Sequence, residues 1–120
     1  MDVEKSIVFD LDGTICFPNL DEDGSDERYG AARPNRETIA YMRTLREQGY
    51  HITIYTARRM LTHEGSIQKI KDDVGQITYE WLRRYTVPYD NLVWGKPYSS
   101  TFYVDDKAMT LEGLKDWMNQ

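Results

Sequence analysis

The sequence contains a single cysteine, Cys16, in 120 residues, so it can form neither an internal disulfide nor a Cys-x-x-Cys metal site. That scarcity suits a reducing compartment. A basic excess is also missing: 15 Lys and Arg stand against 20 Asp and Glu, a formal charge of −5. Proteins that live on duplex phosphates carry the opposite balance, so nucleic acid is disfavoured as a general partner. Arg58, Arg59, Lys69, Lys71, Arg83 and Arg84 nevertheless concentrate positive charge in mid-chain. No apolar run approaches the roughly 18 residues of a membrane span, and MDVEKSIVFD has neither the basic start nor the long apolar stretch of a signal peptide. Repeats and low-complexity tracts are absent as well. A soluble, cytoplasmic protein with no membrane partner is expected.

What is present is ordinary for a globular chain, with 40% hydrophobic and 29% charged residues. A single domain spanning 1–120 is expected, able to bury roughly two-thirds of its unfolded surface. SIVF (6–9) is a short apolar run that reads as a buried strand. The next twenty residues are rich in Pro, Gly and acid and predict a loop or small hairpin excursion. Asn35 is placed to cap a helix running to residue 48, with Ile39, Met42 and Leu45 on one face and Gly49 beyond its end. HITIYT (51–56) is a strand, 57–72 reads as polar and irregular, and 73–85 predicts a second helix on Val74, Ile77, Trp81 and Tyr85. NLVW (91–94) and TFYV (101–104) read as strands, and Thr110 caps a last helix. This order predicts an α/β, Rossmann-like, mostly parallel sheet with helices on both faces.

In such sheets ligands bind at the carboxyl ends of the strands. Asp10 and Asp12 follow the first strand, Thr56 and Arg58 the second, Lys96 the third, and Asp105 and Asp106 the fourth. Carboxylates crowded at one edge call for a bound cation. Oxygen ligands without cysteine or a well-placed histidine favour Mg2+ over zinc. Mg2+ shares its shell with substrate phosphate oxygens, and Lys96 and the Thr56 hydroxyl are suited to hold the remaining ones. Asp10 can attack phosphorus to give an aspartyl-phosphate. Asp12 can protonate the leaving oxygen and then deprotonate the water. Gly13 permits a tight turn that would aim local N–H groups at the phosphate.

VFDLDGT, IYTAR, GKP and YVDDK, in that order, resemble the four sequential motifs of the haloacid dehalogenase superfamily, its phosphatase branch in particular. The resemblance runs from residue 8 to about residue 107. It implies that Asp10 is the nucleophile, Asp12 the general acid/base, Thr56 a phosphate ligand and Lys96 the balancing charge. It also implies Mg2+ held by the Asp10 carboxylate, the Asp12 backbone carbonyl and Asp105, with Asp106 acting through water or orienting the ligands. The second acid of DLD separates it from dehalogenases, which lack one there, and from ion-pumping ATPases, which carry Lys-Thr. Gly13 and Thr14 are further candidate substrate contacts. Arg58 reads either as a substrate contact or as a helix-end cation. TARRM, HEGSIQKI, WLRRYTVPYDNLVWGKP and YVDDKA are similar to small bacterial phosphatases assigned to capsular polysaccharide biosynthesis.

DEDGSDE (21–27) fails as a calcium loop because its Gly stands fourth instead of sixth and Ala32 occupies the twelfth position. Cys16 reads as a small packing residue, and His63 as a solvent-exposed histidine. Only residues 95–100 separate NLVW from TFYV, too few for a parallel crossover. Either the third strand is short and irregular, or Lys96 arrives on an extended segment crossing the site. Neither 15–34 nor 57–72 is long enough for a separate cap domain. An uncapped site must admit a large or exposed phosphate or be completed by a neighbouring subunit, so a homo-oligomer is expected. The expected activity is hydrolysis of a small phosphorylated sugar or polyol. A polynucleotide 3′-phosphatase is the alternative enzyme, and a non-catalytic phospholigand-binding module on the same fold is the alternative class.

Overall fold

The structure, a computed structural model, describes residues 5–120. Residues 1–4, which open the stretch read as lacking a signal sequence, lie outside the described residues. Strand β1 (Ser6–Asp10) is followed by a small antiparallel hairpin, β2 (Cys16–Phe17) and β3 (Arg33–Pro34), with a π-helical turn at Asp26–Gly30 between its arms. Helix α1 (Arg36–Glu47), strand β4 (His51–Thr56), helix α2 (Ile67–Arg84), strand β5 (Asn91–Trp94) and helix α3 (Leu111–Met118) complete the chain. The three longer strands form a parallel sheet in the order β1-β4-β5, with Phe9 opposite Ile54 and Ile54 opposite Leu92. Among the described residues no helix is long and apolar enough to cross a membrane.

Helix boundaries follow their caps. The Asn35 side chain accepts from the Thr38 N–H at 3.2 Å, and the Thr110 hydroxyl accepts from the Gly113 N–H at 3.0 Å. Helix α2 begins at Ile67 instead of 73, because Ser66 accepts from the Lys69 N–H and starts it earlier. Gln68, Lys69 and Lys71 are good helix formers and lie with Asp72 on its solvent side, around buried Ile70. They disguised a first turn and a half as loop.

The expectation of helices on both faces is corrected. Phe9, Ile52 and Ile54 are buried in one cluster with Ile39, Met42 and Leu45 of α1, Trp81 and Leu82 of α2, and Leu114 of α3. On the opposite face Val8 is 62% exposed and Val93 43% exposed. The chain visits β1, β4 and β5 in one direction across the sheet, and crossovers of one hand then place their helices on one side.

The expected strand at 101–104 is also absent. Here the side chains compete successfully with any ladder. The Tyr103 hydroxyl donates to the Pro97 carbonyl at 2.6 Å and accepts from the Ser99 N–H at 3.0 Å. The Ser99 hydroxyl donates to the Phe102 carbonyl. Phe102 and Val104 stay exposed, and the second edge of β1 carries no partner strand among the described residues.

Candidate active site

Asp10 ends β1 on the open side of the sheet, and its carboxylate is partly exposed. The chain then turns tightly. The Leu11 carbonyl accepts from the N–H groups of Thr14, Ile15 and Cys16, while the Gly13 N–H donates to the Cys16 carbonyl at 2.7 Å. Gly13 has φ +88°, which a side chain would strain. The turn therefore exists as the sequence implies, but its purpose differs. The N–H groups of Gly13 and Thr14 are spent inside it and are not offered to a phosphate. The Asn35 amide donates to the Thr14 carbonyl at 3.1 Å, anchoring this loop to the start of α1.

Lys96 resolves the question left by the short connection. Strand β5 is only four residues long, and Lys96 follows one residue after it, its N–H bonded to the Thr56 carbonyl at 3.0 Å. Gly95 makes this possible: its φ is +94°, and a Cβ there would lie 2.8 Å from Ile67 Cδ1. The ammonium thus reaches across β4 to Asp10, with Nζ 3.4 Å from Oδ1, and it also sits 4.2 Å from the Tyr103 ring centroid. Burial lifts the Asp10 carboxyl above its ordinary range. The Lys96 charge and hydrogen bond and the Leu11 N–H work against that rise, and the nearby Asp12 charge adds to it.

Asp12 is held by Arg58. The guanidinium Nη2 lies 2.7 Å from Oδ1, and Nε lies 3.2 Å from Oδ1 and 3.0 Å from Oδ2. The Cys16 thiol donates to Oδ1 at 3.3 Å. Arg58 is only 4% exposed. Its Nη1 donates to the Thr78 hydroxyl of α2 at 2.8 Å, and its guanidinium lies 4.3 Å from the Tyr29 ring centroid. Burial opposes its charge, and the Asp12 carboxylate more than restores it. Arg58 lies between β4 and α2 and so does not end a helix, and its guanidinium is buried behind Asp12.

Thr56 ends β4 on the covered face and is buried. Its hydroxyl accepts from the Arg58 N–H at 3.0 Å, so here it shapes the turn that aims Arg58 inward. Asp105 and Asp106 are not brought to this centre. Both are exposed; Asp105 accepts from the Lys107 N–H at 2.8 Å, and Asp106 lies 3.8 Å from the Lys107 ammonium. Among the described residues no three His, Cys, Asp or Glu side chains group as a metal ion would require. As placed among the described residues, these side chains do not fit a Mg2+ ligand set.

Burial, then the Asp12 charge, push the Cys16 thiol far above its usual range, so it is inert, in keeping with a packing role. A second polar cluster was not anticipated. Asp73 of α2 accepts from the Ser25 hydroxyl at 2.6 Å, pairs with His63 Nε2 at 2.9 Å and lies 3.4 Å from Arg59 Nε. It ties the excursion of 15–34 to α2, and it partly buries the histidine expected in solvent. The clue to the Arg58 pocket was Thr78, a polar residue on the apolar stripe of α2. Two concavities along α2, one at Ile77, Glu80 and Arg84 and one at Tyr79, Leu82 and Tyr89, include none of the groups around Asp10.

No family model and no curated protein matches the chain. Among solved structures it is similar to chains of a Pnkp1/Rnl/Hen1 complex and of the Pnkp1/Rnl/Hen1 RNA repair complex, at 20% and 19% identity with TM-scores of 0.53 and 0.54. Those alignments cover 85% and 98% of this chain but 31% and 32% of the others, and they establish likeness of fold alone. The crystal structure of a structural-genomics target from Vibrio cholerae is similar at 34% identity, over 96% of this chain and 97% of that one, with a TM-score of 0.76. On identity and coverage of that extent, the chain belongs to the same family as this Vibrio cholerae protein.

Proposed function

We propose that the protein is a phosphomonoester hydrolase of the haloacid dehalogenase superfamily, working through an aspartyl-phosphate. The observation that carries this reading is Asp10 at the carboxyl end of a parallel strand, with Lys96 3.4 Å away and the Asp12 carboxylate two residues on. In the first step an Asp10 oxygen attacks phosphorus. The bond from phosphorus to the substrate's ester oxygen breaks, and that oxygen leaves with the electron pair and takes a proton from Asp12. In the second step water attacks phosphorus and gives its proton to Asp12, and the Asp10 carboxylate is released with inorganic phosphate. Lys96 offsets the negative charge that phosphate brings to Asp10. Among the described residues Asp12 Oδ1 accepts from Nη2, Nε and the thiol, and Oδ2 from Nε. Oδ2 is therefore the atom with capacity to carry the proton.

Mg2+ dependence is an expectation of the sequence resemblance and would require Asp105 and Asp106 to join Asp10. A small phosphorylated sugar or polyol, in polysaccharide (capsule) biosynthesis, is the proposed substrate on the same ground. Polynucleotide 3′-phosphatase activity is the second reading, favoured by the partly exposed Asp10 and by fold likeness to chains of an RNA repair complex. The test is phosphate release from sugar, polyol and nucleotide phosphates and a 3′-phosphorylated oligonucleotide, with Mg2+, with EDTA, and with Asp10→Asn. Release abolished by Asp10→Asn supports the mechanism, and the best substrate decides between the readings. No release from any of them by folded protein would refute an enzyme and favour a phospholigand-binding module.

A further inference from the structure

We infer that Arg58 is a positioning residue for the proton-transfer step, fixing the Asp12 carboxylate in one orientation beside Asp10. The inference rests on the phosphomonoester hydrolase reading above and goes beyond it by giving a task to a residue buried behind Asp12.

The guanidinium is locked from four sides. Its Nε and Nη2 form a fork on Asp12, Nη1 is bonded to the Thr78 hydroxyl at 2.8 Å, Nη2 lies 3.5 Å from the Cys16 sulfur, and the Tyr29 ring stacks at 4.3 Å. Those contacts come from α2, from the loop after β1 and from the excursion that precedes α1. Such a fork is rigid and planar in a way a lysine ammonium is not. Asp12 itself is 28% exposed at its side chain, while Arg58 behind it is sealed. Both carboxylate oxygens thus meet the guanidinium, while the side chain keeps part of its surface open. An exposed aspartate on a loop would otherwise sample several rotamers, and most of them would misplace its proton.

The step that Asp12 serves gives a test that separates positioning from mere stability. Expulsion of an alkoxide needs a proton; expulsion of 4-nitrophenolate, a far weaker base, needs little help. The quantity to measure is kcat/KM, which reports only steps up to phosphorylation of Asp10. It would be compared for 4-nitrophenyl phosphate and for the alkyl phosphate that the wild-type protein hydrolyses fastest. In Arg58→Lys the alkyl value should fall by about 100-fold or more, the scale of general acid catalysis, and the aryl value by less than about tenfold. Thr78→Val, which removes one guanidinium hydrogen bond and leaves the charge pair, should shift the same ratio in the same direction by a few-fold. Equal losses on both substrates, in variants that melt like the wild type, would overturn the positioning role. A rise in KM alone on both substrates would make Arg58 a substrate contact instead. Absence of turnover by the wild-type protein on either ester would remove the hydrolase reading, and this inference with it.

Discussion

Asp73→Asn tests whether the cluster at the foot of α2 holds the excursion of 15–34 in place. Asp73 accepts from the Ser25 hydroxyl at 2.6 Å and pairs with His63 at 2.9 Å and Arg59 at 3.4 Å. Burial raises its pKa, but the Ser25 and His63 hydrogen bonds and the Arg59 and His63 charges outweigh that, and the net direction is downward. A carboxyl whose folded pKa is depressed stabilises above its unfolded value and loses that contribution as the pH falls through the folded one. Hydrogen bonds to a charged group are worth about 1.5–3 kcal/mol when sheltered. Asp73 is a quarter exposed, so the cluster is discounted for screening to roughly 1–2 kcal/mol. At about 2.1 cal/mol/K per residue of unfolding entropy, that is a Tm loss of about 4–8 °C at neutral pH. Thermal melts of both proteins from pH 7 down to pH 2.5 would show the gap closing below the ordinary aspartate value of 3.8. A gap of constant size across that range, or no gap at pH 7, would refute the reasoning.

Trp81 is buried and its indole N–H donates to the Ala32 carbonyl at 2.9 Å; Trp81→Phe should cost about 1–3 kcal/mol in urea unfolding, through the orphaned carbonyl and the lost volume. Cys16 should resist alkylation by iodoacetamide at pH 8 in the native protein and react fully in 6 M guanidinium, since burial and the Asp12 charge oppose its thiolate. Asp10→Asn should abolish phosphate release without lowering Tm. The folded Asp10 pKa is raised, so its ionised form costs stability as the pH rises above 3.8, and the amide should compare more favourably at pH 7 than at pH 3 in melts.

The parts of this fold and site legible in the sequence are those fixed by local rules. HITIYT forms a strand of the expected length because alternate Ile52, Ile54 and Thr56 bury one face. Asn35 and Thr110 cap because their side chains reach the third N–H beyond them. Asp10 lies at a strand end, as the carboxyl-end rule requires. Arg58 was illegible for the complementary reason. It directly follows the strand-ending turn, where neither strand nor helix period applies, and its direction is set by partners distant in sequence: Asp12, Tyr29 and Thr78. Lys96 fell between these cases, since its chain position was clear but its reach depended on Gly95 passing Ile67.

The expected fourth strand and the expected grouping of Asp105 and Asp106 with Asp10 are one expectation, not two. A strand entering at the free edge of β1 would be reached through residues 95–100, too few for a helical crossover, so it would leave Val8 and Val93 without a helix over them. The same strand would end beside Asp10 and deliver the two aspartates there. Residues 101–106 are held by the Tyr103 and Ser99 side chains instead, and the strand and the two aspartates lapse together. Their backbone N–H groups then have no ladder to protect them. Amide exchange should therefore be fast at Phe102, Val104 and Asp106, and slow at Ile52 and Ile54 in the middle of the sheet. Protection at 101–106 comparable to that of β4, with or without Mg2+, would contradict this arrangement and favour the fourth strand and the placement of Asp105 and Asp106 beside Asp10.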